Sequence, residues 1–204
     1  MKAILITIKP QHLCNILNGT KTLEIRKNKA LYNAIKKMIA EKGKATIYVV
    51  CSKGGKTLIK KGLVNEWQLI SEYIPPQCRL NGKVLCKWEC DRVEHFDFCE
   101  CDKYENNVKL YNECVKKDNE LCKKACISCV KMVEYLHPKH TGYAIPIQNL
   151  VVFDKSLEIT MLRKVGFKDC KGFDENGNHI SIFERLRKYS LSSAPQNFAY
   201  CEVE

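Results

Sequence analysis

Three side chains with chemical reach stand close together near the start of this chain. They are Lys21, Glu24 and Arg26, in the segment Gly19-Thr20-Lys21-Thr22-Leu23-Glu24-Ile25-Arg26. An arginine fork matches a phosphate or a carboxylate. A carboxylate in a partly closed site can serve as a base. A lysine beside other cations can serve as nucleophile or base. Thr22 and Lys9 complete the candidate set. The plainer alternative is a solvated strand face with weak ion pairs.

The elements around the segment decide between these. Residues 3–9 alternate and are β-branched, which predicts a strand. Leu13, Ile16 and Leu17 predict a short helix over 11–18, ended by Gly19. Residues 22–27 predict a second strand. Its Leu23 and Ile25 share one face, and Thr22, Glu24 and Arg26 share the other.

The pattern Gly-x-Lys-x-x-Glu-x-Arg resembles the signature of the ASCH domain, a member of the PUA-like superfamily. The lead-in Ile4-Leu5-Ile6-Thr7-Ile8-Lys9-Pro10 and the helix after it stand where that family has its first strand and helix. Gly142-Tyr143-Ala144-Ile145, the run Asn149 to Lys155, and the ending Ala194 to Glu204 also resemble ASCH proteins, particularly those of phages and gut bacteria. The resemblance implies an α+β fold: a PUA-like, mostly antiparallel β-barrel with surrounding helices. It implies a single domain over 1–204, with a helical Cys- and Lys-rich insertion at about 99–138 and a C-terminal extension at about 154–204.

For function, the resemblance implies binding of RNA or a modified nucleotide in a basic cleft, with ribonuclease-like hydrolysis in some members. Lys21 and Glu24 would be catalytic, and Lys9, Thr22, Arg26, Tyr143 and Tyr200 would bind. A second implied activity is amidohydrolysis of 4-acetylcytidine-type nucleosides, which uses a lysine in this turn, a threonine on this strand and a distant glutamate. Lys21 matches the lysine, but Glu24 occupies the threonine position. A third reading is a non-catalytic, phage-type interaction module that uses the 99–138 insertion.

Composition agrees with an anionic partner. The formal charge is +11, and such an excess favours nucleic acid. The longest apolar runs, such as Ala45 to Cys51, are far shorter than the ~20 residues of a membrane span. No secretory leader pattern is present. A cytoplasmic address without a membrane partner is therefore expected, and the thirteen cysteines are read as reduced thiols. Oligomeric state is not encoded in any pattern found.

No phosphate-binding P-loop, His-Glu-x-x-His or Gly-x-Ser-x-Gly pattern occurs. No cofactor and no metal are expected. A zinc alternative would join Cys99-x-Cys101 to Cys126-x-x-Cys129. Against it, Cys122, Cys126, Cys129 and Val133 lie on one stripe if the helix is continuous, which favours buried thiols. Among aromatic residues, Trp88 reads as core. Tyr143 and then Tyr200 are the candidates for base stacking, and His137 and His140 are placed near the mouth of the cleft.

The remaining expectations are architectural. Asn28 and Gly43 bound a helix, and Ala45 to Cys51 is a buried strand. Residues 57–73 read as a short helix or irregular connection. Asn81-Gly82 is a turn, followed by one long strand to Glu94. Two insertion helices span about 104–117 and 119–135, with a possible break near Ser128. A strand covers 143–153, a short helix lies near 157–164, and the last strand covers 198–203.

Overall fold

The structure is a computed structural model that describes residues 2–53, 57–62, 66–75, 78–98, 108–164, 191, 195 and 198–202. The chain forms two compact units. One comprises Met1–Leu13, Thr46–Trp88 and Leu150–Glu204, and the other Cys14–Ala45 and Glu89–Asn149. The class is α+β, as expected.

In chain order the elements are β1 (Lys2–Ile8), α1 (Pro10–Leu17), β2 (Leu23–Arg26), α2 (Lys29–Lys42), β3 (Ala45–Cys51), β4 (Leu58–Lys61), β5 (Trp67–Ile70), β6 (Val84–Cys90), β7 (Glu94–Asp97), α3 (Val108–Ala125), α4 (Cys129–Leu136), β8 (Thr141–Pro146), β9 (Gln148–Leu157), β10 (Arg163–Lys164) and β11 (Phe198–Glu202).

The first unit is built on a sheet of order β10-β11-β1-β3-β6-β9. β1 and β3 run parallel, with Leu5 opposite Tyr48 and Ile6 opposite Val49. Both strands are buried on both faces, which is why Ile4 to Ile8 and Ala45 to Cys51 are nearly unbroken apolar runs. One face packs Ala3, Leu5, Tyr48, Val50 and Val84 against Ile159, Leu162 and Leu191. β4 and β5 form a separate antiparallel pair where the sequence predicts a helix or irregular segment. The Asn81 side chain fixes this pair's approach, donating to the Ser52 and Thr57 carbonyls and accepting from Ile59 N–H at 3.2 Å.

The second unit carries a three-stranded antiparallel sheet of order β2-β8-β7. α2 begins at Asn28, whose side chain accepts from Leu31 N–H at 3.1 Å, and ends at Gly43. One face of the sheet presents Ile25, Ala144 and Phe96 to Cys122 and Ala125 of α3 and to Met132 and Leu136 of α4. Residues from the expected insertion thus share a core with β2. Gly142 lies in this packing: a Cβ there would stand 2.8 Å from Phe96 Cζ and 3.0 Å from Leu136 Cδ2.

Several expectations are corrected. The described strands do not close into a barrel. Pro146, which lacks an N–H, ends β8, and the chain restarts at Gln148 as β9 in a different sheet. The predicted strand to Glu94 is split into β6 and β7 around Asp91–Val93. The expected separation of the insertion helices at Asp118 is overturned, since α3 runs on to Ala125; the break expected near Ser128 is found at 126–128, where Cys126 takes a φ of 50° and Ser128 caps α4. Only a 3-10 turn, Ile159–Met161, forms where a helix over 157–164 is expected. The turn that Asp174-Glu175-Asn176-Gly177 predicts and the capping-box pattern Ser181-x-x-Glu184 lie outside the described residues.

Gly142→Ala should destabilise the protein by about 1–3 kcal/mol through overpacking. A urea denaturation midpoint unchanged from the parent would contradict the close approach of α4 and β7 to β8.

Candidate functional site

Lys21, Glu24 and Arg26 meet. Gly19, at a φ of +73°, ends the α1 segment and turns the chain toward β2. Alternation along β2 then sends Leu23 and Ile25 to one face and Glu24 and Arg26 to the other. Glu24 Oε2 lies 3.3 Å from Lys21 Nζ, and Glu24 Oε1 lies 2.8 Å from Arg26 Nε. Lys21 and Glu24 are 5% and 6% exposed, which rules out the solvated-face alternative for these two. Buried charges persist when paired and hydrogen-bonded.

Lys21 has a further partner that no sequence pattern shows. Its ammonium donates to the Ala125 carbonyl at 2.8 Å, at the C-terminal end of α3, where orphan carbonyls and the helix dipole favour a cation. The same turn is joined twice more to the end of α3 and the residue after it. Thr22 N–H donates to the Lys124 carbonyl at 3.0 Å, and the Cys126 thiol donates to the Thr20 carbonyl at 3.2 Å. Thr22 is itself exposed.

Across the sheet, Arg26 pairs with Tyr143 and Tyr143 with His95. Register partners share a face, so these three form a row. Tyr32 of α2 stacks on Tyr143, with centroids 4.5 Å apart and planes at 24°, and His95 tilts against Tyr143 at 5.5 Å. Lys36 Nζ lies 5.5 Å from the centre of the Tyr32 ring, and Lys27 Nζ lies 5.0 Å from that of Tyr135. Lys27, Lys36 and His95 are exposed, while Tyr32, Arg26 and Tyr143 are half-buried. Asp97 adds an acid to the row, 3.9 Å from His95 Nε2.

Tyr135 of α4 lies near enough to the cluster to feel the charges of Arg26 and Glu24. Burial raises its phenol above the ordinary range. The Arg26 guanidinium opposes that shift and Glu24 adds to it. Tyr32, His95 and Tyr135 are the residues that sequence reasoning misses. Tyr32 carries a weak signal, as the fourth helical residue after the Asn28 cap. His95 becomes visible only once β7 pairs with β8.

Tyr200 and Lys9 belong to the first unit. Tyr200 stands on β11 under Lys2 Nζ, 4.6 Å from the ring centre, and edge-on to Phe198. Lys9 follows β1, is exposed, and its carbonyl accepts from His12 and Leu13 N–H. His137 and His140 lie edge to face 5.9 Å apart. Cys99 and Cys101 of the zinc alternative lie outside the described residues. Among the described residues no three His, Cys, Asp or Glu side chains are grouped to hold a metal ion, and no helix is long and apolar enough to cross a membrane.

No protein-family model matches the chain, and no curated protein does. Among solved structures it is similar to ASCH proteins. Similarity to ASCH from Zymomonas mobilis is at 11% identity and a TM-score of 0.41, covering 95% of this chain and 98% of that one. A mutant ZmASCH protein gives 12% identity and a TM-score of 0.42, covering 91% and 92%. The N-terminal domain of Staphylothermus marinus McrB gives 8% identity and 0.41, covering 92% of each chain. Likeness at this level carries no functional argument, and function is read from the chain's own residues.

Removing the buried acid strands two cations. Glu24→Ala should therefore cost about 3–5 kcal/mol of stability, whereas Thr22→Val, whose contacts are made by the backbone, should stay within about 0.5 kcal/mol. Thermal melts of the two variants check this; equal losses would contradict the arrangement.

Proposed function

We propose that the chain binds RNA, or a nucleotide derived from it, on the face of the three-stranded sheet that carries Arg26, Tyr143 and His95. The observation that carries this reading is the in-register row of cation, phenol and imidazole, extended by Tyr32 and Lys36. Rings supply stacking surfaces for bases, and interleaved cations supply phosphate contacts. The net charge of +11 favours the same class of partner.

In this reading the triad sets up the recognition surface. Glu24 holds the Arg26 guanidinium beside Tyr143 as an ion pair at 2.8 Å. Lys21 secures Glu24 from below and ties the turn to α3. The two cations outnumber the acid, so the cluster remains attractive to an anion. For Lys21 to act as a nucleophile it would have to give up the Ala125 carbonyl and the Glu24 carboxylate, and for Glu24 to act as a base it would have to release a cation. The geometry thus supports binding more directly than turnover.

The test is fluorescence anisotropy with a labelled oligoribonucleotide over a salt series. Tyr143→Ala should weaken binding by about 5- to 150-fold, the equivalent of ~1–3 kcal/mol of stacking. Lys36→Ala should make the log–log salt slope shallower by about 0.7 if it contacts one phosphate of a single strand. Unaltered affinity and slope in both variants would exclude this face. Deacetylation of 4-acetylcytidine that is lost in Lys21→Met would select the amidohydrolase reading instead.

A further inference from the structure

The junction between α3 and α4 brings two thiols together. Cys122 Sγ lies 3.2 Å from Cys129 Sγ. Because α3 ends at Ala125 and Ser128 caps a new helix, the two cysteines lie on different helices and face each other. Cys122 is buried, while Cys129 is half-exposed and near the Asn119 amide oxygen at 3.4 Å. A disulfide requires about 2.05 Å between sulfurs, so a small approach closes the gap. Other thiols are placed differently. Burial pushes Cys51, Cys86 and Cys90 up to about 12, with Asp91 adding to the rise at Cys90. Those core thiols remain protonated at neutral pH, and the thiolate is the reactive form.

We propose that Cys122 and Cys129 are a reversible oxidation site that forms an intramolecular disulfide in response to hydrogen peroxide. The Cys129 sulfur, the more accessible of the two, attacks the peroxide O–O bond. It becomes a sulfenic acid, and the departing oxygen leaves as water once protonated. Cys122 sulfur then attacks the sulfenic sulfur, forms the S–S bond and expels the hydroxyl group as a second water. Two thiols are oxidised and one peroxide is reduced. A small dithiol reverses the step by exchange.

The location gives the modification a consequence. The bond encloses residues 122–129, and within that loop lie the Lys124 and Ala125 carbonyls that hold Thr22 N–H and Lys21 Nζ. Oxidation therefore staples the segment on which the Lys21 turn rests. Reduction leaves it held by the Ser128 cap and by packing.

The full chain is treated with stoichiometric hydrogen peroxide, free thiols are alkylated, and tryptic peptides are mapped with and without dithiothreitol. The expected product joins Asp118–Lys123, which contains Cys122, to Ala125–Lys131, with fragmentation placing the bond on Cys129 and the alkyl group on Cys126, a mass lower by two hydrogens and complete reversal by dithiothreitol. Cys129→Ser should abolish the link, and Cys126→Ser should retain it. Amide exchange at Thr22 should slow on oxidation in the parent and be unchanged in Cys129→Ser. Full alkylation of both thiols after peroxide, or a bond from Cys126 to either of them, would overturn the proposal. A variant that does not fold is replaced by Cys122→Ser, read by the same map.

Discussion

A carboxylate with almost no access to water stands between an ammonium and a guanidinium. Without those partners Glu24 would carry a desolvation cost that a small domain cannot absorb. With them, each of its oxygens has a cation at hydrogen-bonding range. Much of the second unit follows from meeting this requirement. Lys21 must come from a tight turn, so Gly19 adopts the left-handed backbone. The ammonium still has donors to satisfy, and the end of α3 supplies a carbonyl. Arg26 must lie two residues beyond Glu24 to share its face of the strand.

The same strand serves two environments. Ile25 enters an apolar cluster with Phe96, Met132 and Leu136, and its neighbours Glu24 and Arg26 face the opposite way. A shift of one residue in the pairing of β2 with β8 would exchange the faces, placing a carboxylate among apolar side chains. The register is therefore fixed from both sides. The aromatic row depends on this register, since Tyr143 meets both Arg26 and His95 only because all three fall on the same rung.

Much of this was legible in residue order. The first strand, the capped α2 helix, the buried run Ala45 to Cys51 and the split faces of β2 all follow from periodicity and from Asn28 and Gly43. The gathering of Lys21, Glu24 and Arg26 was visible as spacing alone. What stayed hidden depends on long-range pairing. The β4–β5 pair is short and held by Asn81, more than ten residues beyond its strands. The division of the expected strand 143–153 depends on Pro146 and on the change of sheet after it. The Ala125 carbonyl is a backbone group, and no residue type announces it. Tyr32 and His95 are ordinary helix and strand residues until the sheet assembles around Tyr143.

Lys21 and the carbonyl it grips are separated by 104 positions. A ribosome delivers the amine, the acid and the guanidinium long before it delivers that carbonyl. Until α3 emerges, the three charges remain hydrated and the turn has nothing to close on. The Lys21–Arg26 segment is thus completed only after 104 further residues have been made, and its dry interior is created by the arrival of a distant helix.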